Sequence, residues 1–190
     1  NAGTLPSTAM PYIDLFVCPS TPPDVASSPV LAYAGNCGSY GPAGGGTMKG
    51  DGVFFDSTGA GGNAPQRIGL DFIGNADGTA NTLLFSERAG PFVTTSGSWA
   101  NAQGTFSASN GFTPGFVLPV TPGVSGKLLN SGTAAIAGTN QPNFHFPSSN
   151  HPGGVMAAFC DGHTMFLKDN LQPSVYAQLM TSNQTVATGT

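Results

Sequence analysis

The stretch "GVMAAFCDGHTMFLK", residues 154–168, decides the fold class. Two apolar runs, 154–160 and 163–168, flank Asp161 and Gly162. An Asp-Gly pair between apolar runs predicts a β-hairpin closed by a type I′ turn, which needs φ > 0 at both central residues. Just beyond it, "QPSVYAQLM" (172–180) puts Pro173 near a helix start and Val175, Leu179 and Met180 at helical spacing. Upstream, "YIDLFVC" (12–18) sets Ile13, Leu15 and Val17 against Tyr12 and Phe16, the pattern of a strand covered on both faces. "PVLAYAG" (29–35) and "DGVFFD" (51–56) read as further short strands. The segment 66–87 reads as extended chain, a polar turn at "GNADGT", then a strand through Leu83, Leu84 and Phe85. The expected architecture is α+β, mainly β: an antiparallel sheet, a short C-terminal helix, and long Gly/Pro-rich loops over 90–150. No fixed-period repeat and no dividing linker is visible, so residues 1–190 are expected to form one domain.

Composition narrows the function classes. Charged residues are 7% of the 190 and the net charge is −4, with no basic cluster to neutralise phosphates. Nucleic acid and anionic membrane surfaces are therefore poor partners. No run approaches the roughly 18 apolar residues of a membrane span. Yet 39% of residues are hydrophobic, with 13 Phe, enough for a folded core despite 28 Gly and 16 Pro. A neutral Gly/Thr/Asn-rich surface suits chains that pack side by side, because few charges need desolvating at the contacts.

The three cysteines are Cys18, Cys37 and Cys160, with no Cys-x-x-Cys pair of the kind structural zinc sites use. A Cys18–Cys37 disulfide would close a loop of about 19 residues, contributing about 3 kcal/mol in the chain-entropy estimate and implying an oxidising compartment. The alternative is two buried free thiols.

"SNHPGGVMAAFCDGHTMF" (149–166) gathers His151, Cys160, Asp161 and His163. Ten extended steps of about 3.3 Å separate His151 from Asp161 by up to roughly 33 Å, so the two cannot share an ion. Asp161 is read as a turn former, Cys160 as a small apolar strand residue, and His151 as a loop residue bonded to backbone near a Gly-Gly bend. A calcium loop starting at Asn75 fails, with Ala80 at position 6 and Ser86 at position 12, which leaves Asp71 and Asp77 as calcium candidates outside that pattern. No Gly-x-Ser-x-Gly elbow occurs, and no two of Asp51, Asp56, Asp71, Asp77 and Glu87 are held at a defined separation by sequence. His145 in "NFHF" is read as packed between aromatics. Asn183-Gln184-Thr185 fits the N-glycosylation sequon.

Taken in order, several segments resemble one bacterial family, the planctomycete-type pilin-like proteins of unknown biochemical function with a C-terminal His-x(9)-Asp-Gly signature. That signature is matched by His151, Gly153, Gly154, Asp161 and Gly162. "YIDLFVCPST" is similar to the family's apolar run ending in Cys-Pro-Ser, here Cys18, Pro19 and Ser20. "LAYAGNCGSYG" resembles its Tyr-x-Gly-Asn-x-Gly segment at Tyr33, Gly35, Asn36 and Gly38, and "DGVFF" its Gly-Val-Phe-Phe. "DGTANTLLFSE" resembles its Asp-Gly-Thr-Ser-Asn-Thr-Leu…Gly-Glu segment through Glu87, with Ala80 for Ser and Ser86 for Gly.

The resemblance implies a pilin-like globular head whose N-terminal membrane-inserted helix precedes this chain, so this fragment itself would make no membrane contact. With the low charge and the lack of catalytic groupings, it points to a non-enzymatic, extracellular or cell-surface subunit of a homo-oligomer or filament, with no cofactor and no metal beyond the calcium candidates Asp71 and Asp77. Two other classes compete with that reading. One is a surface module for polysaccharide or a secreted protein, with Trp99 among the 90–150 loops as its platform. The other is a metal-dependent hydrolase, which would need His145, His151 or His163 to converge with carboxylates.

Overall fold

The computed structural model describes residues 12–20, 22, 31–40, 52–54, 68–89, 115–119, 128–130 and 146–182. Trp99, His145 and Asn183, with most of the 90–150 region, lie outside the described residues. Five strands form one sheet: β1 (Tyr33–Tyr40), β2 (Leu83–Glu87), β3 (Gly115–Pro119), β4 (Gly154–Phe159) and β5 (Thr164–Lys168). Their order is β3-β1-β2-β4-β5. β1, β2, β4 and β5 are antiparallel neighbours, and β3 lies parallel to β1 at one edge. Helix α1 (Leu70–Asn75) stands between β1 and β2 in the chain, and α2 (Pro173–Met180) follows β5. The α+β, mainly β expectation holds, and α2 begins at Pro173, whose missing N–H costs nothing in the first turn.

One face of the sheet carries the core. Ala34, Leu83, Phe116, Val155, Ala157, Phe159 and Leu167 bury against Tyr176 and Met180 of α2 and against Leu128, Leu129 and Phe146. Asn36 is a fully buried polar residue in this layer. Its Nδ2 donates to the carbonyls of Leu83 (2.8 Å) and Met180 (2.9 Å), while its Oδ1 accepts from the Gly38 N–H (2.9 Å). One amide thus joins β1, β2 and the end of α2.

Several local expectations give way to tertiary contacts. Residues 12–18 are not a strand: Asp14–Phe16 form a 3-10 turn with Leu15 80% exposed. Here the alternating apolar pattern is overridden because Leu15 faces solvent, and the turn is tied to the sheet through the Ala32 N–H donating to the Phe16 carbonyl. The strand expected over 29–35 starts later, at Tyr33. Of the segment 51–56, residues 52–54 are a bend laid against β1, where the Val53 and Phe54 N–H groups both donate to the Asn36 carbonyl. The extended segment expected before "GNADGT" is instead helical over Leu70–Asn75.

The hairpin is present, but its turn differs. Phe159 N–H donates to the His163 carbonyl and Gly162 N–H to the Phe159 carbonyl, which encloses a three-residue loop, Cys160–Gly162. Only Gly162 has positive φ (90°) in this loop. That is a turn with one left-handed glycine at its end, and the type I′ expectation is corrected. Asp161 Oδ1 accepts from the His163 N–H (3.0 Å) and sits 2.6 Å from His163 Nδ1. These bonds, the backbone one foremost, hold the Asp161 carboxyl below its ordinary value of 3.8. A group with a lowered folded-state value stabilises above its ordinary value and loses that contribution as pH falls through the lowered one. Melting temperature followed against pH should therefore decline in acid more steeply for the native chain than for Asp161→Asn, with the two curves converging at the acid end.

Candidate functional site

Register on β2 decides which side chains face the second, outer side of the sheet. Leu83 pairs with Phe159 but Phe85 pairs with Ala158, so β2 carries one extra residue, a bulge at Leu84. Without it, Leu83, Phe85 and Glu87 would share a face. With it, Leu83 and Ser86 stay on the core side while Phe85 and Glu87 turn outward, consistent with the way bulges re-aim side chains. Glu87 is nevertheless only 4% exposed, because two loops fold over it.

The first loop brings Cys18 and Ser20, which follow the 3-10 turn. The second brings His151, on the bend before β4. That bend is held by Ser149, whose Oγ donates to the Gly154 carbonyl and accepts from the His151 N–H. Asn130 adds a bond from Nδ2 to the same carbonyl and accepts the Ser149 N–H. Gly153, at φ 81°, makes the left-handed step into the strand. Asn150 Nδ2 then bonds the Ser20 carbonyl, linking the two loops.

The result is a convergence of four polar atoms. Glu87 Oε1 is 3.0 Å from His151 Nε2 and 3.2 Å from Cys18 Sγ. His151 Nε2 is 3.7 Å from Cys18 Sγ and 3.2 Å from Ser20 Oγ, which is itself 3.0 Å from Cys18 Sγ. The second carboxylate oxygen, Oε2, accepts the Met156 N–H at 2.7 Å, so the glutamate cannot swing away without freeing a strand amide. Tyr33 pairs with Glu87 across β1 and β2, and burial, with the charges of Cys18 and Glu87, raises its hydroxyl above the ordinary value of 10.0.

These positions bear on four expectations. The Cys18–Cys37 disulfide is not formed, and all three cysteines are free thiols. Cys18 Sγ is directed to Glu87 and His151, whereas Cys37 Sγ lies toward the Gly35 carbonyl, so the sulfurs have different partners. The argument for an oxidising compartment loses its basis with that bond. His151 is not merely a backbone-bonding loop residue, since its ring nitrogen meets Glu87, Ser20 and Cys18. Cys18, Glu87 and His151 place ligand atoms within 4.8 Å of one another, a grouping that the sequence spacing did not suggest.

Among the described residues this is the sole group of three such ligands, and it includes neither Asp71, exposed on α1, nor Asp77. His163 stands across β4 from His151, a strand of about 17 Å by its rise per residue. It stacks on Phe159 at 4.4 Å and joins no cluster with His151.

Chemically, the set has the residue types of a Cys-His-Glu hydrolase but not the connectivity. In a relay, the carboxylate orients one ring nitrogen while the other takes the nucleophile's proton. Here Glu87, Cys18 and Ser20 all address Nε2. Burial pushes the Cys37 thiol up to about 12 and the Cys160 thiol up to about 11, so neither offers an alternative thiolate near neutral pH.

The sequence pointed to each of these residues separately, but not to their meeting. Cys18 and Ser20, Glu87, and His151 each belong to a different segment of the family resemblance. Only the β1-β2-β4 order, with the bulge at Leu84, brings those segments to one place.

Among the described residues, no helix is long and apolar enough to cross a membrane. No curated protein and no solved structure matches the chain. A family model matches residues 1–174, nearly the whole chain including every residue of the cluster, and the chain belongs to that family, described as protein of unknown function DUF1559 (SBP_bac_10).

Proposed function

We propose that the chain is the head of a pilin-like, non-enzymatic subunit that assembles outside the cell through contacts between identical copies. The observation that carries this reading is the outer face of the sheet. Phe85 (43% exposed) and Phe166 (42% exposed) lie there with Met156 and Ala158, by the pairings Phe85↔Ala158 and Met156↔Phe166. Phe54 joins them, its ring 5.0 Å from that of Phe85. Contiguous apolar surface of this kind, on a chain with 7% charged residues, is what a repeated protein–protein contact needs and what a solitary protein avoids. The three-to-one use of Nε2 in the Cys18–Glu87–His151 cluster supports the non-enzymatic part.

Electron microscopy of the protein from its native source tests the reading. Regular assemblies with this chain as the repeating unit are expected, and they should be lost with Phe166→Glu, which adds a charge at an exposed position without disturbing the core. Dispersed monomers, in material shown by mass spectrometry to hold the whole translated chain, would overturn it.

A further inference from the structure

We propose that Cys18 Sγ, Glu87 Oε1 and His151 Nε2 bind one divalent transition-metal cation of the Zn2+ type, with Ser20 Oγ at the fourth corner. Geometry is the first argument. Ligands at about 2.3 Å for sulfur and about 2.0–2.1 Å for nitrogen and oxygen, set tetrahedrally, stand about 3.3–3.6 Å apart. The observed separations are 3.0, 3.2 and 3.7 Å among the three ligands. Shifts of a few tenths of an ångström bring these three edges to the tetrahedral values. Ser20 Oγ stands 3.0 Å from the sulfur and 3.2 Å from the imidazole nitrogen, close enough to supply a fourth donor.

The metal-free protein keeps these atoms together by hydrogen bonds, which is the second argument: Cys18 Sγ donates to Glu87 Oε1, which lies 3.0 Å from His151 Nε2, and Ser20 Oγ lies 3.0 Å from the sulfur. A cation entering among them would replace those protons and find its ligand atoms already gathered. Charge is the third argument. Glu87 is 4% exposed and Cys18 is 3% exposed, so a carboxylate and a thiolate would both be held away from water. A dication with neutral imidazole makes that set electrically neutral overall, which lowers the cost of burying it.

The donor types select the ion. One sulfur, one imidazole and one carboxylate favour Zn2+ and its neighbours over Ca2+ or Mg2+, which prefer shells of oxygen. The supporting bonds are those a metal site needs: Met156 N–H fixes the carboxylate through Oε2, and the Ser149 and Asn130 bonds fix the His151 bend. The His151 side chain is 36% exposed and provides the way in. Once bound, the ion would fasten the Cys18 turn and the His151 bend to β2. This is a structural clamp beside the apolar face, and it stands whether or not that face proves to be an assembly contact. Loading it moves the thiol proton to solvent as the sulfur takes up the metal.

The test uses the tag-free chain, stripped with chelator and titrated separately with Zn2+ and Co2+. Elemental analysis is expected to find one equivalent of Zn2+ per chain, with a rise in melting temperature. The Co2+ form is expected to show the intense visible bands of tetrahedral Co2+ and a near-ultraviolet thiolate charge-transfer band. Cys18→Ser should abolish the charge-transfer band, and His151→Gln should abolish stoichiometric binding. Cys160→Ala should leave both intact. His151 is partly exposed, so His151→Gln remains informative if Cys18→Ser does not fold. Absence of binding, binding undiminished in His151→Gln, a six-coordinate Co2+ spectrum without the thiolate band, or binding that follows Cys160 would each overturn the proposal.

Discussion

Asn36→Leu is expected to lower stability by about 3–9 kcal/mol, the cost of leaving three buried backbone groups without their partner at about 1–3 kcal/mol each. The residue is 0% exposed, and its amide serves the carbonyls of Leu83 and Met180 and the Gly38 N–H at once. Leucine keeps the branched heavy-atom skeleton of asparagine and is bulkier, so the change removes the hydrogen bonds without opening a cavity. For a chain of this size, about 2–4 °C is lost per kcal/mol, so the melting temperature should fall by roughly 6 °C or more. Against a usual total of about 5–15 kcal/mol, some of the protein should fail to fold at all. Circular dichroism of the C-terminal helix and thermal melting both report the effect, since one of the three bonds ends on Met180. A variant within about 1 kcal/mol of the native chain would show that the amide merely fills space.

Gly52→Ala is expected to cost about 3 kcal/mol, the upper part of the overpacking range. A Cβ at Gly52 would fall on the Gly38 nitrogen and the Cys37 carbonyl carbon, which are backbone atoms of a central strand and cannot step aside. The segment would have to lift off β1. That would break the Val53 and Phe54 bonds to the Asn36 carbonyl and draw Phe54 away from its seat over Gly35 and beside Phe85. Gly74→Ala is the matched control, because nothing lies within 4 Å of its Cβ position and the residue is inside α1. There alanine should stabilise by about 0.5–1 kcal/mol through helix propensity and backbone entropy. Urea unfolding of the two variants side by side checks both signs, and equal effects would contradict the close approach of Gly52 to β1.

Much of the fold was legible where local chemistry acts alone. The apolar runs around Asp161 and Gly162 could only fold back on each other, and Pro173 with the spacing of Val175, Leu179 and Met180 marked a helix. Where neighbours decide, the reading failed. The alternation of Ile13, Leu15 and Val17 is equally compatible with a covered strand and with a 3-10 turn that leaves Leu15 in solvent. Cys18 and Cys37 looked like a pair because only their sequence spacing was visible, whereas the direction of each sulfur depends on what folds over it. The turn at Asp161 shows the same limit on a smaller scale: Asp-Gly ensures a reversal, but the pairing of Phe159 with His163 chose a three-residue loop.

The sequence by itself determined the mainly β class, the final hairpin and helix, the low charge and the family resemblance, because composition, periodicity and turn chemistry are properties of neighbouring residues. The cluster of Cys18, Ser20, Glu87 and His151 was decided by tertiary structure alone. Its members are up to 133 positions apart, and no local rule connects them. They meet because β2 lies between β1 and β4, and because a single extra residue at Leu84 turns Glu87 to the face over which both loops close.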